Sequence, residues 1–258
     1  LLVLAISFAS RGTYGGVEWT FSLMNYAHLA DPLYLRIYGR SLTLALATTV
    51  LCLLMGFPLA YYIARAPVRL QRIWLVLVMI PFWANFLVRT FAWMSILRTE
   101  GLMNTLLINL GIITQPIELL YSDWAILIGL VYGYSPLMVL PLYAAIERLD
   151  FSVVEAAWDL YATGWSVFWR VILPLTKPGV IAGCILVFIP SLGAFITPDL
   201  LGGAKSMMVG NLIQHQFLVV RDWPLGSAIS FILMTLVLLG VMAYFKTHGR
   251  PDRCERGG

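Results

Sequence analysis

The chain has 258 residues, of which 60% are hydrophobic and only 12% are charged, and its mean hydropathy is +0.84. Soluble domains contain about 25% charged residues, and a soluble fold of this size could not remove so much apolar surface from water. The composition therefore excludes an ordinary soluble enzyme and predicts a protein that faces lipid. The formal net charge is +4, but the basic residues are scattered among apolar runs, which argues against nucleic-acid binding.

The first apolar segment, residues 1–9, ends shortly before Arg11. It is too short to cross a bilayer, because a span needs about 20 residues. We expect it to be the end of a first helix whose beginning lies outside this sequence. A signal peptide is the alternative, but the segment lacks the basic start that such peptides have.

Five further apolar runs are long enough to cross a hydrocarbon core of about 30 Å as helices. They cover residues 41–64, 73–97, 124–146, 178–198 and 223–245. Only the second of them contains a charge, Arg89. With the truncated first helix, the sequence predicts an all-α, polytopic membrane protein of about six helices, which forms one transmembrane domain over residues 1–258.

Basic residues are distributed unequally among the predicted loops. Ten lie in residues 65–72, 147–177 and 246–256, whereas six lie in the remaining loops. Because Lys and Arg are enriched on the cytoplasmic side of membrane proteins, the first set is predicted to be cytoplasmic. An even number of helices then places both termini in the cytoplasm.

The loop 147–177 is longer than a simple connection between two helices requires, and it contains two amphipathic segments. One predicted apolar face consists of Phe151, Val154 and Trp158, and the other consists of Trp165, Phe168, Trp169 and Ile172. We expect Pro174 to end the second segment. An alternative is that both segments simply lie in the membrane interface.

The order of residues inside this loop follows a fixed spacing. Glu155-Ala156-Ala157 is followed after three residues by Tyr161, and after nine more by Val171-Ile172-Leu173-Pro174. This resembles the E-A-A loop of permease subunits of ATP-binding-cassette importers, whose pattern is E-A-A, three residues, G, nine residues, I, one residue and L-P. Tyr161 replaces the family glycine, so either Tyr161 adopts an unusual turn conformation or Gly164 provides the bend.

The resemblance extends beyond the loop. Residues 191–205, 210–213 and 221–228 are similar to the spermidine/putrescine permeases, in particular to the first of their two permease subunits. The resemblance implies the type I importer permease fold in the bacterial inner membrane. It also implies that this chain holds no catalytic residue, cofactor or metal, and that ATP is bound and hydrolysed by a partner ATPase.

The same resemblance implies the partners and the coupling residues. The partners are a second, homologous permease that completes a heterodimer, two ATPase subunits on the cytoplasmic face and a periplasmic substrate-binding protein. The residues implied to couple the permease to the ATPase are Glu155, Ala156, Ala157, Tyr161, Gly164, Leu173 and Pro174.

Arg89 is the only charge within a predicted span, and such charges usually face a cavity or a partner. It is interpreted either as a gate or substrate-path residue, or as a structural residue that pairs with Asp199 or reaches the interface. Ammonium groups bind over aromatic rings, and polar groups at membrane depth need partners. The candidate substrate path is Trp83, Asn85, Arg89, Tyr132, Tyr134 and Asp199. Asp199 is included because a carboxylate near the predicted periplasmic mouth would attract a cation.

Other functions stay open at this point. A positive side chain in the path would repel a polyamine, so a permease of the same fold for an inorganic anion such as sulfate or molybdate is an alternative. A membrane-embedded enzyme is disfavoured, because the spans contain no acidic residue or His to form a catalytic cluster. A purely structural anchor does not explain the E-A-A pattern. The three cysteines, Cys52, Cys184 and Cys254, show no metal-site spacing.

Overall fold

The computed structural model describes residues 2–12, 16–29, 31–203 and 206–248. Lys205 and the basic tail residues Arg250, Arg253 and Arg256, on which part of the predicted orientation rests, lie outside this range, as does Cys254. In chain order the elements are α1 Leu2–Ser7, β1 Ser10–Arg11, β2 Val17–Glu18, α2 Met24–Leu29, α3 Pro32–Arg65, α4 Val68–Trp83, α5 Phe86–Leu97, α6 Leu102–Asn109, α7 Asp123–Glu147, α8 Phe151–Asp159, α9 Gly164–Val167, α10 Leu173–Leu192, α11 Val209–His215 and α12 Trp223–His248.

The helices form two compact units. The first contains residues 1–38 and 209–258, and its core consists mainly of apolar residues from α2, the start of α3, α11 and α12. In this unit the Tyr38 hydroxyl donates a hydrogen bond of 2.9 Å to the Ile229 carbonyl. The small antiparallel ladder β1–β2, with Ser10 opposite Glu18, also belongs to it. The second unit, residues 39–208, contains both sites that are described below.

Helices dominate the described chain, in agreement with the predicted all-α class. Four are long and apolar enough to cross a membrane: α3, α7, the continuous stretch Gly164–Leu192, and α12 over Trp223–Met242. A fifth arises if Val68–Trp83 and Phe86–Asn109 are counted together. The predicted first helix corresponds to α1, of which six residues are helical.

The predicted span over 73–97 is interrupted in the structure. The chain bends by 87° between α4 and the helices that follow it. Ala84 and Asn85 are both extended, with ψ of 143° and 133°, and the Asn85 side chain accepts a hydrogen bond of 2.8 Å from the Leu87 backbone N–H. Asparagine is a preferred N-cap because it satisfies a free N–H of the first turn, so Asn85 starts a new helix here.

Two other predicted boundaries differ from the structure. α3 begins at Pro32 rather than at residue 41, so Arg40 lies inside it. The Arg40 guanidinium forms an ion pair with Asp123 at the start of α7 and donates a hydrogen bond of 2.9 Å to the Ser206 hydroxyl. The partners explain how a charge is accommodated in this helix. α10 ends at Leu192, so the predicted span 178–198 extends too far.

The packing of α10 against α7 depends on two glycines, Gly179 and Gly183, which form a G-x-x-x-G pattern. A Cβ atom on Gly179 would lie 2.3 Å from the Ala145 Cβ and 2.7 Å from the Pro141 carbonyl oxygen. A Cβ atom on Gly183 would lie 2.7 Å from the Met138 sulfur. Small residues let helix backbones approach closely in lipid, where no hydrophobic force drives helices together. These glycines therefore allow the close contact that supports the loop between the two helices.

Candidate functional site

The loop between α7 and α10 begins with a capped helix. The Asp150 carboxylate accepts a hydrogen bond of 3.0 Å from the Ser152 backbone N–H, and thereby caps α8. The hydroxyl and backbone N–H of Ser152 stabilise the charged form and lower the pKa of Asp150 below its usual value. Thr163 caps α9 in the same way, since its hydroxyl accepts from the Ser166 backbone N–H at 3.4 Å. Local side chains therefore fix both helix starts.

One face of the loop packs onto the body of its own unit. Val154 is fully buried, and Phe151, Ala157, Phe168 and Leu173 pack against the same core. Of the three residues predicted to share a face, Phe151 and Val154 pack against this core, whereas Trp158 is exposed. This face holds the loop in place on the second unit.

An aromatic and cationic stripe on α3 receives this inner face. Phe57 contacts Phe168 edge-on with a centroid distance of 5.2 Å. The Arg65 guanidinium lies over the rings of Phe151 and Trp158, at 5.2 Å and 5.6 Å from their centroids. Such contacts contribute about 0.5–1 kcal/mol each at exposed positions. Sequence analysis missed this stripe, although the i, i+8 spacing of Phe57 and Arg65 places them on one side of α3.

The opposite face of the loop is exposed. Of the residues that the resemblance assigned to coupling, Glu155, Ala156, Tyr161, Gly164 and Pro174 are exposed, whereas Ala157 and Leu173 are half-buried. Large apolar side chains join them on this face: Leu160, Trp165 and Trp169. Exposed apolar patches usually mark interaction sites. We define the outer face as Glu155, Ala156 and those residues of 160–169 that are exposed. This outer face is the candidate docking surface.

Tyr161 itself makes the turn between α8 and α9. Its φ is +56°, and its side chain is 96% exposed. Gly164 is not among the residues with positive φ; it is the first residue of α9. The left-handed region costs a residue with a Cβ atom about 1–2 kcal/mol. The first of the two alternatives therefore holds: Tyr161, and not Gly164, makes the turn.

Tyr161→Gly is expected to stabilise the isolated protein by about 1 kcal/mol, because glycine enters the left-handed region without a Cβ clash. The measurement is the thermal unfolding midpoint in detergent. Tyr161→Ala is the matched control, since it removes the exposed ring and keeps the Cβ atom. An equal gain in both variants would mean that the ring, and not the backbone conformation, is responsible.

Pro174 does not end the second helical segment, contrary to the prediction. Residues Phe168–Ile172 form a π-helical turn, and the helix continues through Pro174 into α10. Proline lacks an N–H and clashes with the carbonyl four residues earlier, and a wider turn just before it relieves this conflict. The loop is therefore rigidly continuous with α10.

A second cluster surrounds Arg89, one turn into α5. Its guanidinium donates a hydrogen bond of 3.1 Å to the Pro81 carbonyl oxygen at the end of α4. It also lies over three aromatic rings, at 5.1 Å from the Phe86 centroid, 5.8 Å from that of Tyr132 and 6.0 Å from that of Phe82. Among the described residues Arg89 forms no ion pair, so the alternative in which it pairs with Asp199 is not observed.

The other predicted path residues are placed separately. Trp83 is 76% exposed, and Asn85 is engaged as the N-cap of α5. The Tyr134 hydroxyl donates to the Pro190 carbonyl at 3.3 Å. Asp199 is exposed on a π-helical segment, Pro198–Gly202, that packs against α7. Of the six predicted residues, Arg89 and Tyr132 are brought into contact through their side chains.

The chemistry available elsewhere in the second unit is limited. In residues 2–203 and 206–248, apart from the short gaps given above, no group of three or more His, Cys, Asp or Glu residues could hold a metal ion. A cavity of about 1200 Å³ is lined on its charged side by Arg98, Glu100 and Glu118. The described residues thus offer two candidate sites, the outer face of the loop 147–177 and the cluster around Arg89.

Comparison with known proteins gives consistent matches. Residues 56–248 match the model of the family described as binding-protein-dependent transport system inner membrane component. The chain is 44% identical over 253 residues to the spermidine/putrescine transport system permease protein PotB of Haemophilus influenzae, covering 98% of this chain and 88% of that protein. It is 43% identical to PotB of Escherichia coli K12, covering 95% and 90%.

The fold has a solved counterpart. A bacterial ABC transporter involved in the import of the acidic polysaccharide alginate superposes with a TM-score of 0.75 at 15% identity, covering 98% of this chain and 90% of that chain. At this identity the likeness concerns the fold alone. It confirms the predicted importer-permease architecture.

Proposed function

This chain belongs to the family of binding-protein-dependent transport system inner membrane components, and from that premise we propose that it imports linear polyamines as one of two permease subunits of an ATP-driven transporter. It is a multi-pass transport subunit of the inner membrane and not an enzyme. The observation that supports the substrate class is the 44% identity, over 98% of the chain, to a relative named for spermidine and putrescine.

The two faces of the loop 147–177 suit a coupling element. Its outer face presents exposed apolar side chains, such as Tyr161 and Trp165, to a partner, and amphipathic helices commonly dock this way in a groove. Its inner face is tied to α3, and its second helix continues into α10. Movement of a docked ATPase would thus be passed to two spans, as alternating access requires. The proposed partners are a homologous second permease, two ATPase subunits and a periplasmic binding protein.

The proposed orientation places this loop and both termini in the cytoplasm, on the basis of the distribution of Arg and Lys. In a background without Cys52, Cys184 and Cys254, a cysteine at Asp159 should react only with reagent that enters the cytoplasm. Asp159 is exposed on α8, so its accessibility is limited by the membrane alone. A cysteine at the exposed Glu100, between α5 and α6, is the control and should react from the periplasm. Labelling of the Asp159 position in intact cells would contradict the orientation.

The substrate class is tested by uptake of radiolabelled putrescine and spermidine into proteoliposomes that contain the complete transporter. Tyr134→Ala is expected to lower uptake several-fold, because it removes a ring face that can bind an ammonium group with about 0.5–2 kcal/mol. Asp199→Asn is expected to lower it as well, because it removes a carboxylate that attracts the cation. Tyr134→Phe is the matched control; it keeps the ring and removes the hydroxyl that donates to Pro190. Transport of sulfate or molybdate in place of polyamines would refute the proposed substrate class and would leave the family assignment unaffected.

A further inference from the structure

Arg89 carries its charge at membrane depth. It contacts Tyr132, which lies nine residues after the start of α7 at Asp123, or about 14 Å along a helix axis. This position is well inside a hydrocarbon core of about 30 Å. A charge at this depth is costly and requires partners. The partners of Arg89 therefore show what kind of site surrounds it.

These partners are a carbonyl oxygen and aromatic rings. The guanidinium donates to Pro81 at 3.1 Å and lies within 6.0 Å of the ring centroids of Phe82, Phe86 and Tyr132. No carboxylate from the described residues pairs with Arg89. Ring faces attract ammonium groups as well as guanidinium groups, and a carbonyl oxygen accepts a hydrogen bond from either. We call these four groups the aromatic box.

The aromatic box is open on one side. Phe82 is 40% exposed and Tyr132 is 36% exposed. Gly133 lies beside the box: a Cβ atom there would be 3.9 Å from the Arg89 Nη2 atom and 4.0 Å from the Phe86 ring. Because Gly133 has no side chain, space remains next to the Arg89 guanidinium. A ligand cation could therefore reach the box if the Arg89 side chain moved aside.

We propose that Arg89 is a tethered competitor of the substrate: its guanidinium occupies an aromatic box that accepts an ammonium group of the polyamine when Arg89 is displaced. The proposal rests on the proposed polyamine function and gives Arg89 a role in specificity. An intramolecular cation has a high effective concentration, so it excludes weakly bound small cations from the box. A substrate with several ammonium groups, delivered by its binding protein, can displace it. On this proposal the positive charge of Arg89 does not exclude polyamines from the path; it makes the path selective for them over small cations.

The main alternative is structural. Arg89 bridges α5 and the end of α4, so its hydrogen bond to Pro81 also stabilises the 87° bend. Arg89→Gln separates the two roles, because glutamine is neutral and its amide can still donate to a carbonyl. Arg89→Lys keeps a cation in the box and is the matched control.

The experiment is equilibrium binding of radiolabelled putrescine to the complete transporter in detergent, without its binding protein. Arg89→Gln is expected to bind putrescine about tenfold or more tightly than the wild type and Arg89→Lys. Adding Phe86→Leu to Arg89→Gln should abolish the gain, because it removes the nearest ring. Arg89→Met serves as a second uncharged variant if the glutamine variant does not assemble, as judged by size-exclusion chromatography.

Two results would overturn the proposal. One is unchanged putrescine binding in an assembled Arg89→Gln or Arg89→Met transporter. The other is a gain that persists after Phe86→Leu, which would indicate a general charge effect without an aromatic box. Uptake by the wild type is measured in parallel. If the wild type does not import polyamines while Arg89→Gln gains ring-dependent binding, the proposed substrate fails and the aromatic box stands.

Discussion

Gly179→Val is expected to destabilise the permease by about 3 kcal/mol or more, because the new side chain has no space between α10 and α7. Its Cβ atom alone would lie 2.3 Å from the Ala145 Cβ and 2.7 Å from a backbone carbonyl oxygen. Neither neighbour is the end of a flexible side chain, so the two helices must separate. Separation would also displace the loop 147–177, which these helices support at both ends.

The measurement is the yield of monodisperse protein in detergent and its thermal unfolding midpoint. Gly240→Val is the matched control, since Gly240 lies in α12 and, among the described residues, no neighbouring element comes within 4 Å of its Cβ position. Gly183→Val should have an intermediate effect, because the first atom that it meets belongs to the flexible Met138 side chain. Equal behaviour of Gly179→Val and Gly240→Val would show that the close α7–α10 contact does not contribute to stability.

Much of the fold follows from the length of apolar runs. The spans predicted at 124–146 and 223–245 correspond to α7 and α12, because a hydrophobic run of this length has few other solutions in a membrane. The break between α4 and α5 was not predicted. Asn85 is uncharged, so it does not interrupt a hydropathy pattern, although its amide can cap a helix. Helix breaks that are marked only by an uncharged capping residue inside an apolar run are therefore not detected from hydropathy.

For the loop 147–177, too, the sequence predicts only part of the structure. The residue spacing from Glu155 to Pro174 led to the family, but it did not separate the residues that face a partner from those that pack internally. That separation depends on α3, whose Phe57 and Arg65 receive the inner face. These contacts join residues 111 and 86 positions apart (168 − 57 and 151 − 65), and no local periodicity indicates such pairs. The positive φ of Tyr161 is likewise not indicated by the residue type, because tyrosine rarely adopts the left-handed region.

Ala156→Asp is expected to abolish substrate-stimulated ATP hydrolysis and transport while leaving the permease itself folded. Ala156 is exposed on the outer face of the loop, so a carboxylate there is solvated in the isolated subunit. Docking on the proposed ATPase would remove water from it, and an unpaired buried charge costs several kcal/mol. Ala157→Asp is a poorer probe, because Ala157 packs against the core of its own unit and its substitution would also change stability.

Three measurements separate docking from folding in Ala156→Asp: the unfolding midpoint of the permease, the amount of ATPase that co-purifies with it, and ATP hydrolysis in proteoliposomes. We expect the first to be unchanged and the other two to fall at least tenfold, since a few kcal/mol corresponds to such a change in binding. Ala156→Ser is the matched control and should retain both, because a hydroxyl is small and neutral. If Ala156→Asp co-purifies with the ATPase and transports at the wild-type rate, the outer face is not the docking surface, and coupling must act through another part of the chain.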